Sequence, residues 1–147
     1  MVDTRDDTLD FDHFHRDVLP ARLAAGNGAL AVADARLVGP LAIRTTAGAY
    51  TYVPTDDTIE IVEGDETART VIALDDASWL GLVNDLDTPP GLLYGGRVET
   101  VRGNPLRFVR WEPALRAMYH GRPVYDAALV DLHGLDPTQT FTMEDVA

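Results

Sequence analysis

At Gly39-Pro40 the hydrophobic pattern of this chain changes period, and that change narrows the possible architectures more than any other feature. Upstream, Phe11, Phe14, Val18, Ala21 and Ala25 recur at helical spacing, with Asp12 and Arg16 on the opposite side. The spacing predicts an amphipathic helix beginning at Leu9. Pro20 falls inside it and predicts a kink or a second helix starting there. Gly26-Asn27-Gly28 reads as a helix stop, and residues 29–38 fit a short helix or a strand. Downstream the period is two. Leu41 and Ile43 alternate with Ala42 and Arg44, Ala47-Gly48 supplies a turn, and Tyr50 and Tyr52 alternate with Thr51 and Val53. Pro54-Thr55-Asp56-Asp57 turns the chain again before Ile59 and Ile61, and a fourth run, 70–74, follows the polar loop 64–67. Four short alternating runs joined by short turns predict an antiparallel meander with one covered face.

Helices return after Leu74. Asp75-Asp76-Ala77-Ser78 is an acidic helix start, suited to the positive end of the helix dipole. Trp79, Leu82, Val83 and Leu86 then fall at i, i+3, i+4 and i+7, one apolar stripe. Asp87-Thr88-Pro89-Pro90 ends that helix and opens a short apolar one through Leu92, Leu93 and Tyr94. Gly95-Gly96 releases the chain into a fifth strand, 97–102. Val98 and Val101 are three positions apart, so a bulge near Glu99-Thr100 is needed to turn both inward. After Gly103-Asn104-Pro105, one side of a last helix carries Phe108, Trp111, Leu115, Met118 and Tyr119, with a break allowed at Pro113. This order predicts an α+β fold: a five-stranded, mainly antiparallel sheet with helices packed on one face. Residues 1–122 read as that domain. Residues 123–147, with five acids and no base, read as an acidic C-terminal arm or linker.

Composition removes whole classes of chemistry. The 147 residues, 46% of them hydrophobic, suffice for one domain with a real core. Without cysteine there is no disulfide, thiolate nucleophile or cysteine-held metal. All twelve cations are Arg, so neither a Schiff base nor a phosphate-loop lysine is available. Ser78 is the only serine and lies in no Gly-x-Ser-x-Gly, which argues against serine-hydrolase chemistry. The net charge of −12 makes duplex nucleic acid an unsuitable partner. Residues 97–122 reverse the trend, with six Arg against Glu99 and Glu112. Two accounts fit that stretch: pairing with the acidic surface around it, or a headgroup- or partner-docking patch. No segment holds the ~20 successive apolar residues of a membrane span. The acidic start is unlike a secretory or transit signal, so a cytoplasmic location is expected.

The segments Asp75-Asp76-x-x-Trp79-Leu80-x-Leu82, Pro90-Gly91-Leu92-Leu93-Tyr94-Gly95-Gly96-Arg97-Val98 and Val101-Arg102-Gly103-Asn104 resemble the sterol-carrier-protein type-two domain. The likeness covers roughly residues 9–120 through short, degenerate motifs. The interval from Gly96 to Gly103 is one residue longer than the family's usual run, where the bulge is expected. The resemblance implies a lipid- or fatty-acyl-binding module, with an apolar tunnel between sheet and helices and a lipid or acyl-CoA as ligand. A second segment, from Arg110-Trp111-Glu112-Pro113 through Gly121-Arg122-Pro123, is similar to the region ahead of the catalytic domain in bacterial proteins of the phytanoyl-CoA dioxygenase type. It implies an accessory module with an oxygenase domain as partner, linked through Phe141-Thr142-Met143-Glu144-Asp145.

The expected tunnel walls are Trp79, Leu82, Val83 and Leu86, then Leu92, Leu93 and Tyr94, then Phe108, Trp111, Leu115 and Met118. The same stripes serve equally as the filled core of any domain of this size, and bulky Trp79 and Trp111 would plug a tunnel as readily as line it. No catalytic residue, cofactor or metal is expected. His13 and His15 point ~200° apart on a helix and cannot share an ion. His15-Arg16-Asp17 matches the His-x-Asp of non-haem iron sites, but it lies on a leading helix with no barrel strand behind it. His120 and His133 are isolated, and Asp56-Asp57 and Asp75-Asp76 suit turn and cap roles.

Overall fold

The structure, a computed structural model, describes residues 8–122, so the expected acidic arm 123–147 lies outside the described residues. First among the described residues is a helical run of five parts: α1 (Phe11–His13), a wide π-turn π1 (Phe14–Val18), α2 (Leu19–Arg22), a second π-turn π2 (Leu23–Asn27) and α3 (Gly28–Val38). Pro20 explains the first wide turn. Its missing N–H deprives the Arg16 carbonyl of an α-helical partner, and the turn before it widens so that the Leu19 N–H bonds Phe14 O. In the second, the Gly28 N–H bonds Leu23 O and Gly26 leaves helical conformation at φ 130°. Each wide turn adds a residue and rotates the buried face. That face therefore runs Phe11, Phe14, His15, Leu19 and Leu23, while the expected Ala21 and Ala25 are exposed. The Gly26-Asn27-Gly28 stop is a kink, after which residues 29–38 continue as helix.

The strands are β1 (Leu41–Thr45), β2 (Gly48–Pro54), β3 (Ile59–Glu63), β4 (Thr70–Ala73) and β5 (Glu99–Arg102), in the spatial order β3-β2-β1-β4-β5. The fold is α+β, as the element order predicts, with three antiparallel pairings. The expected four-strand meander is not formed. β4 leaves β3 and lies parallel to β1, with Leu41 opposite Thr70 and Ile43 opposite Ile72. The polar loop after β3 makes the crossing behind the sheet. Thr51 Oγ1 donates to Gly64 O, the Arg44 guanidinium holds Asp65 at 2.7 Å, and Arg102 donates to the carbonyls of Asp65 and Ala68. A small second core, Ala42, Ala68 and Val71 with Val101, lies beneath this crossing.

The expected bulge is present but does something else. Val71 opposes Arg102 and Ile72 opposes Thr100, so Val101 is the extra residue. Val98 packs into the main core and Val101 into the rear one, on opposite sides of the sheet. The remaining helices are α4 (Asp76–Val83), α5 (Pro89–Tyr94), α6 (Leu106–Arg110) and α7 (Glu112–His120). Asp75 caps α4 by accepting the Ser78 N–H at 2.6 Å, and Thr88 caps α5 through Gly91. The break before Pro113 falls at Trp111, which leaves the proline in the first turn of α7.

Candidate functional site

The chemistry available to this fold lies between the front of the sheet and the helices. Leu41, Ile43, Tyr50, Tyr52 and Ile72 project from the sheet and meet Phe11, Phe14, Trp79, Phe108, Trp111, Leu115 and Met118 in one cluster. Of the expected wall residues, Trp79, Leu82, Val83, Leu92, Phe108, Trp111, Leu115 and Met118 are all buried there. Leu93 is half-buried and outside the cluster. Leu86 and Tyr94 do not face the interior at all, with 59% and 78% of their surface exposed. The reason for Leu86 is that α4 stops at Val83. Asp85 adopts φ 59°, and the Leu86 N–H turns back to Gly81 O.

The interior is packed with rings. Phe11 lies edge-on to Trp79 at 5.0 Å, Phe14 edge-on to Tyr119 at 5.5 Å, and Tyr52 against Trp111 at 5.9 Å. Leu82 and Leu115 line a pocket beside Pro89 and Tyr119, and it holds only about 10 Å³, room for one water at most. The larger hollows are open surface grooves. One of about 530 Å³ runs past Arg44, Asp75 and Arg97, and one of about 340 Å³ lies between Pro20, Leu23 and the edge strand β3.

Threaded through this apolar interior is a chain of polar groups that joins the helical run, the sheet and α7. His15 sits on π1, 1% exposed, stacked on Tyr50 at 4.6 Å. Its Nδ1–H donates to Phe11 O at 2.8 Å, because a carbonyl can only accept. Nε2 therefore accepts from the Tyr52 hydroxyl at 2.7 Å, and Tyr52 in turn accepts from Tyr119 at 2.6 Å. Burial lowers the His15 pKa to about 4 and raises both phenols, so every member of the chain is neutral near pH 7. Trp79 Nε1 is close enough to Tyr119 to influence its ionisation yet makes no hydrogen bond of ordinary geometry.

His15 is therefore a core group with both nitrogens occupied. Asp17 is exposed and pairs with His13 at 3.0 Å, so the His-x-Asp sequence does not converge on one point. Sequence reasoning missed Phe11, Phe14, His15, Tyr50 and Tyr52 as lining groups. A signal existed, because Phe11 and His15 are i, i+4, and Tyr50 and Tyr52 share the face of Ile43 by alternation. The basic stretch is largely consumed within the fold. Arg97 meets Asp87 at 3.5 Å, Arg116 meets Glu112 at 3.0 Å, Arg122 meets Asp85 at 2.6 Å, and Arg107 donates to Val38 O. No helix among the described residues is long and apolar enough to cross a membrane.

No protein-family profile matches the sequence, and no curated protein does. Solved structures do match the fold. The apo form of sterol carrier protein 2 from Yarrowia lipolytica aligns over 82% of this chain and 97% of its own, with TM-score 0.56 and 19% identity. A conserved hypothetical protein from Thermus thermophilus, described as possibly a sterol carrier protein, aligns over 79% and 88%, with TM-score 0.56 and 20% identity. A further crystal structure of sterol carrier protein 2 aligns over 72% and 97%, with TM-score 0.54 and 17% identity. The chain thus has a sterol-carrier-protein type-two fold.

Proposed function

We propose that the chain is a non-catalytic lipid- or fatty-acyl-binding module, whose ligand lies between the sheet and helices α4, α5 and α7. The observation that carries this reading is the match of nearly the whole sterol carrier domain to residues of this chain. The packed interior means that the ligand's place must be opened. Transfer of a twelve-carbon tail from water contributes about 10 kcal/mol at ~0.8 per methylene. Association and the displaced side chains cost several of those, which leaves micromolar affinity. Native mass spectrometry and organic extraction of gently purified protein test the reading, and co-purified acyl species are the expected result. Titration of a Trp111→Phe variant with fatty acids, read through Trp79 fluorescence, should saturate. A folded Leu92→Arg variant, changed at the α5 side chain that faces the interior, should lose that uptake. A protein that is empty and refuses fatty acids and acyl-CoA overturns the proposal.

One observation favours a second reading, an accessory domain with a closed core, whose partner, an oxygenase of the phytanoyl-CoA dioxygenase type, rests on the sequence resemblance alone. The His15–Tyr52–Tyr119 chain is complete without any ligand. An empty protein that binds such an oxygenase would support this reading against the first.

A further inference from the structure

We infer that a ligand reaches the interior by the lifting of one strap, residues 87–94, hinged at Gly95-Gly96 and latched at Asp87. The inference rests on the lipid-binding reading above and adds the route. The strap carries α5 at its centre, and its backbone hydrogen bonds close upon themselves. Leu92 bonds to Thr88 and Gly95 to Gly91 within it, and Gly96 bonds to Leu93 and Arg97 to Leu92 across the hinge. Among the described residues none of these bonds runs to the sheet or to α7, and strand pairing resumes only at Glu99. Segments that close their own bonds and bury few side chains open more readily than the domain around them. The strap buries only Pro89 and Leu92 fully, while Tyr94 stands out in solvent.

The latch is local too. Asp87 N–H bonds to Gly81 O, and the Asp87 carboxylate fills the notch left by the absent side chain of Gly81. The carboxylate meets Arg97 at 3.5 Å, in a pair open enough to solvent to be weakened by salt. The small pocket lies at this end of the strap, beside Asp87, Thr88 and Pro89, with Leu82, Leu115 and Tyr119 at its apolar side. Swinging Asp87 out of its notch therefore widens an opening that already touches the core, and it withdraws Leu92. A single apolar chain is the ligand such a route would take, its polar head left at a rim of Asp85, Asp87 and Glu112 with His120 and an Arg116 that pairs with Asp85 and Glu112.

An ideal Cβ on Gly81 lies 3.3 Å from the Asp87 Cβ, close to the ~3.8 Å spacing across a disulfide. The chain has no cysteine of its own, so Gly81→Cys with Asp87→Cys offers one clean lock. With a fluorescent dodecanoic acid analogue as probe, the oxidised double variant should take up ligand at least tenfold more slowly than the same protein reduced. Equal rates in the two states, with near-UV circular dichroism unchanged, overturn the route. Failure of the wild-type and reduced proteins to bind any acyl probe overturns the carrier reading instead. Strap opening is then judged by amide exchange. Arg97→Gln should speed exchange at the Asp87 amide, bonded to Gly81 O, and at the amide of residue 97, bonded to Leu92 O across the hinge, at least fivefold while β1 stays protected, and unchanged exchange overturns the hinge.

Discussion

His15 shows how much one side chain can be made to do by its surroundings. Both ring nitrogens are engaged, its ring is stacked on Tyr50, and burial holds its pKa down to about 4. In the unfolded chain the same group titrates near 6.5. Between those values the unfolded chain takes up a proton that the folded protein refuses, so stability falls as the pH drops through that window. The full loss is about 3 kcal/mol. Urea unfolding at pH 7 and at pH 4.5 should show it, and His15→Gln should reduce the difference between the two midpoints, leaving the share of His120, whose pKa burial also lowers. Asp75, held low by its bonds to Ser78, gives up its contribution only below the ordinary carboxylate range, so the two effects separate. The sequence told that His13 and His15 could not share a metal, because their directions diverge. That His15 is the one turned inward was legible in its i, i+4 spacing from Phe11, whereas the wide turn at Phe14–Val18 is what no spacing rule anticipates.

At the scale of elements, the regular pieces were legible and the irregular joins were not. The helix starts at Asp75 and Thr88, the break near Pro113 and the alternation of Tyr50 with Tyr52 all follow from local chemistry. The π-turns escaped because a 3.6-residue template places Ala21 and Ala25 inward, and an added residue per wide turn moves Leu19 and Leu23 there instead. The parallel β1–β4 pairing escaped because the loop 64–69 looks like a plain polar turn, whereas Arg44 and Arg102 pin it across the rear of the sheet. The candidate walls were legible as apolar stripes, but whether they enclose a space is a property of ring packing that hydrophobic periodicity does not carry. The bulge can be tested at its neighbour. Gly103 has φ 80°, and a Cβ there would collide with the Arg69 carbonyl and lie 2.9 Å from Thr70 Cα. Gly103→Ala should cost about 2–4 kcal/mol, through backbone strain and the displaced β4 edge. Gly26→Ala, with open space around it, carries the backbone strain alone, about 1 kcal/mol. Denaturant midpoints of the two variants compare them directly.

The molecule as a whole is held by contacts that are distant along the chain. Tyr52 meets His15 across 37 residues and Tyr119 across 67, and α7 packs along α3. Trp111 Nε1 ties α7's approach to Gly39 O at 2.8 Å, where the helical run hands over to the sheet. A chain truncated before Pro105 should accordingly lose more than a helix. Its near-UV circular dichroism and amide protection in β1 should collapse together, since the sheet would present Tyr52 and Ile43 to water. A ribosome making this protein from its first residue has released His15 and Tyr52 long before Tyr119 exists. Until α7 emerges, the nascent polypeptide lacks the side chains that close its centre over Tyr52, and that surface stays open to water.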